Sequence, residues 1–193
     1  MTTGGRDVIE AELKAHVRDP AVMRERLDRL AAGRDEVYRD TYFDTPGAHL
    51  EAADRELRLR TVDGPDGTRS LLTYKEARVD EASGSKPEYE TGIGDPAAVR
   101  AMLNGLGYIE AITFAKHCRN YEFTAHERPM LATLVRVPEI DGTYVELETK
   151  VAGRGELCDA LGDVRAVLAG LGIGEGDLTA ELYTDAVRAR RTG

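Results

Sequence analysis

Glutamates recur in this chain as spaced pairs with a basic residue in step. Glu10 and Glu12 are followed by Lys14, Glu146 and Glu148 by Lys150, and Lys86 precedes Glu88 and Glu90. Between these sets lie Arg58 and Arg60, and then Lys75. Alternate residues of a strand share one face, so each set presents its charges on a single side. Adjacent carboxylates repel one another unless a cation lies between them. Carboxylate oxygens suit Mg²⁺ or Mn²⁺, and Mg²⁺ commonly takes one or two carboxylates together with substrate phosphates. Arginine and lysine supply further countercharge to phosphate, arginine through forked hydrogen bonds. The pattern points to a polyphosphate bridged to carboxylates by a divalent metal.

The elements that must position these groups are mostly strands. The first is VIEAELKAHV, followed by a helix opened by Pro20, PAVMRERLDRLAA, with Val22, Leu27 and Leu30 as a rough apolar stripe and Gly33 as its stop. EVYRDTYFD, RELRLRTV, RSLLTYKEA and KPEYETG then read as strands, with DGPDG as hairpin chemistry between the second and third. A second helix begins at Asp95-Pro96, and AITFAKHCRNYEF, PMLATLVRV and TYVELETKV complete a count of about eight strands. From about Gly155 two helices follow, the last with Thr179 as its expected N-cap and a basic final turn. Few helices between many strands imply an antiparallel sheet.

Strand after strand has one apolar and one charged face. A sheet with one solvated face would look similar. Acidic pairs at both ends of the strand series, with Arg-x-Arg and Lys between, instead suggest a closed barrel with a charged interior and apolar side chains outside, under helices. The expected fold class is α+β, an eight-stranded antiparallel closed β-barrel or tunnel with helices packed outside. Residues 1–193 are expected to form one domain, with a core of about 8–150 and C-terminal helices over about 155–190.

The net charge of −9 argues against a nucleic-acid partner, although a basic cavity can lie inside an acidic protein. No apolar run is long enough to span a bilayer, the start MTTGGRDV lacks a leader's apolar stretch, and Cys118 and Cys158 have no metal-ligand spacing. A cytoplasmic setting without membrane contact is the expectation. His16, His49, His117 and His126 are dispersed and read as surface or loop residues. Tyr42, Tyr74 and Tyr89 read as packing residues, and Asp40, Asp44 and Asp54 as strand-end or loop residues. No P-loop pattern occurs.

Taken in order, Glu10-x-Glu12-x-Lys14, DTYFDTP before RELRLR, a strand ending in TYK, KPEYE and VELE resemble the CYTH superfamily, over roughly residues 8–150. The DTYFDTP stretch and its spacing to RELRLR look most like the class IV adenylate cyclase branch. The resemblance implies a tunnel that binds a nucleoside triphosphate or another triphosphate with Mg²⁺ or Mn²⁺. It implies Glu10, Glu12, Glu146 and Glu148 as metal ligands, and Lys14, Arg58, Arg60, Lys75, Lys86 and Lys116 as phosphate ligands. Glu10, Glu12, Lys14 and Lys75 form the expected catalytic set, with Glu88 and Glu90 as a supporting acidic pair. The implied activity is conversion of ATP to cyclic AMP and pyrophosphate. The alternatives are a phosphohydrolase for tripolyphosphate or thiamine triphosphate, and a non-catalytic nucleotide- or polyphosphate-binding module. A homodimer is compatible with all three.

Two departures from the family pattern bear on the site. The aspartate usual on the strand before the final Glu-x-Glu is missing, with Val135 or Arg136 in its place. Arg136, if inward, would meet phosphate directly, and Glu139 or Asp141 would compensate only through a shift of register. Lys116 and Arg119 are three apart, so both face the tunnel only if a bulge intervenes; otherwise Cys118 takes the inward place.

Overall fold

A computed structural model of the chain describes residues 8–81 and 83–193, so the start read above as lacking a leader lies largely outside the described residues. The described residues form eight strands: β1 (Val8–His16), β2 (Arg34–Asp44), β3 (Glu56–Gly64), β4 (Gly67–Lys75), β5 (Pro87–Ile93), β6 (Ile109–Ala125), β7 (Arg128–Arg136) and β8 (Tyr144–Val151). They close into an antiparallel barrel in the order β1-β5-β4-β3-β2-β6-β7-β8. Among the described residues the β1–β5 seam is short, with Val8 and Ile9 paired to Glu88 and Pro87. The expected hairpin joins β3 to β4, where Gly64 pairs with Gly67 and Gly67 takes φ +106°, a conformation glycine adopts without strain. A second tight hairpin joins β6 to β7 through His126 and Glu127, both at positive φ, as a two-residue turn between twisted strands requires.

The apolar strand faces point outward. Ile9, Ala11, Leu13 and Ala15 of β1, with Val145 and Leu147 of β8, are buried beneath helices α1 (Pro20–Asp28) and α4 (Arg154–Gly170). A short helix α2 (His49–Ala52) follows β2, and α3 (Pro96–Gly105) covers Phe43 and Leu59 on the opposite side through Leu103. The expected proline starts hold: Asp19 accepts hydrogen bonds from the N–H groups of Ala21 and Val22, and Asp95 from that of Ala98. With the apolar faces already covered by helices, the barrel interior is left for the charges. Among the described residues no helix is long and apolar enough to cross a membrane.

The helices depart from expectation at both ends of the chain. α1 ends at Asp28, and its buried residues are Met23 and Leu27, whereas Val22 and Leu30 are exposed. Thr179 is not a helix N-cap. The stretch around Leu178 is extended and pairs with β1, so the last helix α5 begins only at Tyr183 and runs to Thr192. Its Tyr183 and Val187 enter one end of the barrel against Phe114, Cys118, Val135 and Tyr144.

Candidate active site

Register builds the site. Across β1 and β8, Glu10 pairs with Lys150, Glu12 with Glu148 and Lys14 with Glu146, all on the inward face. On the facing wall, Glu56 pairs with Lys75 and Lys75 with Glu88, while Arg58 lies opposite Thr73 and Thr73 opposite Glu90. The result is a cavity of about 330 Å³ inside the barrel. Its walls carry nine basic and seven acidic side chains, although the chain as a whole has a net charge of −9.

At one end carboxylates converge. Ligand oxygens of Glu10, Glu12 and Glu148 lie within 4.8 Å of one another. Lys75 Nζ stands 2.7 Å from Glu10 and 2.8 Å from Glu88, and joins the acidic group to the opposite wall. Burial disfavours the Glu10 anion, but the Lys75 ammonium and its hydrogen bond outweigh burial and hold the carboxyl down at about 2. Glu12 behaves in the opposite way: burial first, then the Glu146 and Glu10 charges, push it up to about 7. Glu148 is raised well above the usual carboxylate range by burial and by Glu10 and Glu12. For two of the three carboxylates, burial and the neighbouring acids therefore outweigh the lysines close by. An all-oxygen donor set of this kind fits a hard divalent cation, which would relieve the repulsion that raises Glu12 and Glu148.

The other end is cationic. Lys14 and Lys116 lie on either side of Glu146, whose carboxylate is 3.9 Å from Lys116 Nζ. Burial works against the charge of Glu146, but Lys116 and Lys14 more than offset it and keep its pKa low. Arg60 holds Asp40 in a forked pair at 2.6 and 2.7 Å; burial opposes the Asp40 charge, but Arg60 keeps the acid ionised. Arg58 donates to Thr73 at 3.3 Å and lies 3.9 Å from Glu90, yet its buried Nε has no hydrogen-bond partner among the described residues. Lys86 donates to Glu56 and to the Asp54 carbonyl at the mouth.

Most residues singled out from sequence line this cavity: Glu10, Glu12, Lys14, Arg58, Arg60, Lys75, Lys86, Glu88, Glu90, Lys116, Glu146 and Glu148. Arg119 does not. The only register shift between β2 and β6 lies at Tyr42/Phe43, away from Lys116, so strict alternation sends Arg119 outward to Asp35, Asp28 and Tyr121. Cys118 takes the inward place, buried with Val135. Arg136 is exposed on the outer face and makes no direct contribution, and Glu139 is tied to Arg191. Regular pairing of Thr133 with Glu146 leaves no register shift for Asp141 to exploit. Asp40 is a buried tunnel partner rather than a strand-end group, while Asp44 does cap α2 through the N–H groups of Leu50 and Glu51.

Several contributors were missed. Arg69 pairs bidentately with the buried Glu36, which also accepts from Asn120. Arg78 lines the mouth and is forked onto Asp54. The alternation of Arg69 with Leu71 and Thr73 placed it on the tunnel face, but Arg78 lies in the loop after β4, where periodicity says nothing.

A family model, the CYTH domain, matches residues 8–183. A protein of Methanocaldococcus jannaschii named "putative adenylate cyclase" is 24% identical over 180 residues, covering 92% of this chain and 98% of that protein. The solved structure of the PH1819 protein from Pyrococcus horikoshii OT3 superposes with a TM-score of 0.79 at 23% identity, covering 94% of this chain and 99% of the other. A structure from Hippeastrum, described as a putative adenylyl cyclase that reveals a dominant triphosphatase activity, superposes with a TM-score of 0.64 at 16% identity, covering 94% and 95%. With a charged tunnel of this construction and a family match over nearly its whole length, the chain belongs to the CYTH domain family.

Proposed function

We propose that the protein is a divalent-metal-dependent enzyme that holds a triphosphate along the barrel and hydrolyses its terminal phosphoryl group. The observation that carries the reading is charge segregation: an acidic chain keeps nine cationic side chains around one interior cavity, beside a trio of carboxylates suited to a dication. Glu10, Glu12 and Glu148 would hold Mg²⁺ or Mn²⁺, which supplies Lewis-acid polarisation of a phosphoryl oxygen. Lys14, Arg58, Arg60 and Lys116 orient the phosphate chain and offset the charge that builds on the transferring group. Buried Arg58 Nε is a donor awaiting an acceptor, as phosphate oxygen would be. Lys75 fixes Glu10 and Glu88 in place. Glu146 serves as counter-ion to the inner lysines.

Hydrolysis is preferred because the aromatic rings that line the cavity are already engaged. Tyr38 lies under Arg60 at 4.4 Å, Tyr42 stacks on Phe114 at 5.8 Å, and Tyr183 is held between two lysines. Among the described residues a purine finds no unengaged ring inside on which to stack. The second reading is cyclisation of ATP, favoured by the DTYFDTP stretch and by the names of relatives. It requires a nucleoside held near the mouth so that the ribose 3′-hydroxyl reaches the α-phosphorus.

Incubation with tripolyphosphate, ATP, GTP and thiamine triphosphate, with Mg²⁺ or Mn²⁺, tests the proposal. Orthophosphate as the product supports hydrolysis. Cyclic AMP with pyrophosphate replaces it by the second reading, metal-dependent binding without turnover leaves a binding module, and absence of binding overturns the proposal.

A further inference from the structure

The carboxyl-terminal segment reaches into the cavity through the short seam of the barrel. Beyond Ile9, β1 has no partner in β5. Leu178 bridges to Ala15 on this edge, and the Thr179 N–H donates to the Lys14 carbonyl at 2.9 Å. The Lys14 ammonium donates in turn to the Glu181 carbonyl. This zipper delivers Tyr183 to the inner end. The ring is 7% exposed, meets Tyr144 edge-on at 5.2 Å, and has Lys14 Nζ and Lys116 Nζ each 4.3 Å from its centroid.

The Tyr183 hydroxyl lies beside the Glu146 carboxylate and helps to keep that acid ionised, yet among the described residues it makes no hydrogen bond of normal geometry. Buried hydroxyls without partners are rare, because the desolvation cost is uncompensated. A phenylalanine would fill the same space and keep the ring contacts. The hydroxyl is therefore placed to turn to a ligand, and the two ammonium groups beside it favour an anionic one.

We infer that Tyr183 is a binding residue, whose hydroxyl donates to a phosphoryl oxygen held between Lys14 and Lys116, and that the segment Leu178–Tyr183 is thereby part of the triphosphate site. The inference rests on the reading that a phosphate chain occupies the cavity. It extends that reading by making the site incomplete until the carboxyl-terminal segment is docked on β1.

The test is calorimetric titration of Mg²⁺–tripolyphosphate into the full-length wild type, Tyr183→Phe and Tyr144→Phe. Tyr144 is the control, since its hydroxyl turns away to the Asp141 carbonyl. A hydrogen bond to a charged group is lost in Tyr183→Phe, so its affinity should fall about ten-fold or more, with no loss of thermal stability in the ligand-free state. Tyr144→Phe should match the wild type. A Tyr183→Phe protein of wild-type affinity overturns this inference alone; a wild type that does not bind overturns the functional reading as well. Hydrogen exchange on the wild type gives a second measure. Tripolyphosphate should slow exchange of the Thr179 amide, and an unchanged rate counts against participation of the segment.

Discussion

Replacing Glu12 by glutamine should make the metal-free protein more stable at high pH while abolishing its response to metal. In the fold Glu12 keeps its proton up to about 7, against 4.5 for the free group, because burial and the neighbouring Glu146 and Glu10 carboxylates disfavour its anion. Between these two pH values the folded state binds more protons than the unfolded one, so stability falls as pH rises. Each unit of displacement is worth about 1.4 kcal/mol, which gives a loss of about 3 kcal/mol across the interval. Glu148, raised for the same reasons, adds to the slope, and the two titrate as a group. Glu10 acts in the other direction. Its pKa is held low, so its contribution is present above about 4.5 and is lost as pH falls towards about 2. Urea unfolding in EDTA at about pH 5 and about pH 8 isolates the Glu12 effect as a difference between variant and wild type. Glu12→Gln should gain about 3 kcal/mol relative to wild type between these pH values. Excess Mg²⁺ at the higher pH should stabilise the wild type and leave Glu12→Gln unmoved. A difference that stays constant with pH would refute the electrostatic argument, and equal stabilisation of both proteins by Mg²⁺ would refute the ligand role.

Lys75→Met removes the ammonium shared by Glu10 and Glu88; turnover should disappear and unfolding at neutral pH should cost about 3–5 kcal/mol less, as read by urea midpoint. Arg60→Leu leaves buried Asp40 unpaired and should destabilise by a similar amount of about 3–5 kcal/mol; a loss under about 1 kcal/mol would show that Asp40 simply protonates. Arg119→Ala acts on an outer-face cluster, so triphosphate turnover should be that of the wild type and stability should drop by about 1 kcal/mol at most. Arg136→Asp should leave the Mg²⁺ or Mn²⁺ titration unchanged because the side chain lies outside the barrel, and a stronger metal response would mean that it reaches the site.

Alternation made most of this fold readable. Because side-chain direction has a period of two along a strand, Glu10/Glu12/Lys14 and Leu13/Ala15 had to fall on opposite faces, and only the choice of which face is inside remained. Charged residues with spaced partners of opposite sign chose the inside, since several carboxylates and guanidinium groups can be buried together only if they compensate one another. The same rule excluded Arg119 once β6 proved regular. It gave no access to Arg78, which sits in a loop, or to Tyr183, which reaches the cavity through tertiary pairing of a stretch that reads as helix. LTAELYTDAVRARR has good helical residues, yet the free edge of β1 offers backbone hydrogen bonds at Lys14 and Ala15, and the chain stays extended to take them.

The missing aspartate can be understood in the same terms. Val135 stands in the inward place that Arg136 cannot reach, packed with Cys118, Tyr144 and Tyr183. Burial of the Cys118 thiol beside it pushes that group up to about 12, so it adds no anion there either. A carboxylate at position 135 would join Glu146 and divide the attention of Lys116 and Lys14. With valine there, both ammonium groups share Glu146 and the phenol ring of Tyr183. Charge along the tunnel is therefore graded, from three carboxylates at Glu10, Glu12 and Glu148 to an excess of cations at Lys14, Lys116 and Arg60. A uniform polyanion gains little by choosing one direction in such a gradient. A phosphate chain that carries a dication near one end gains at both ends, since the metal meets the acids and the bare oxygens meet the lysines. On the proposed function, the gradient would select a metal-bound chain and set its direction in the barrel.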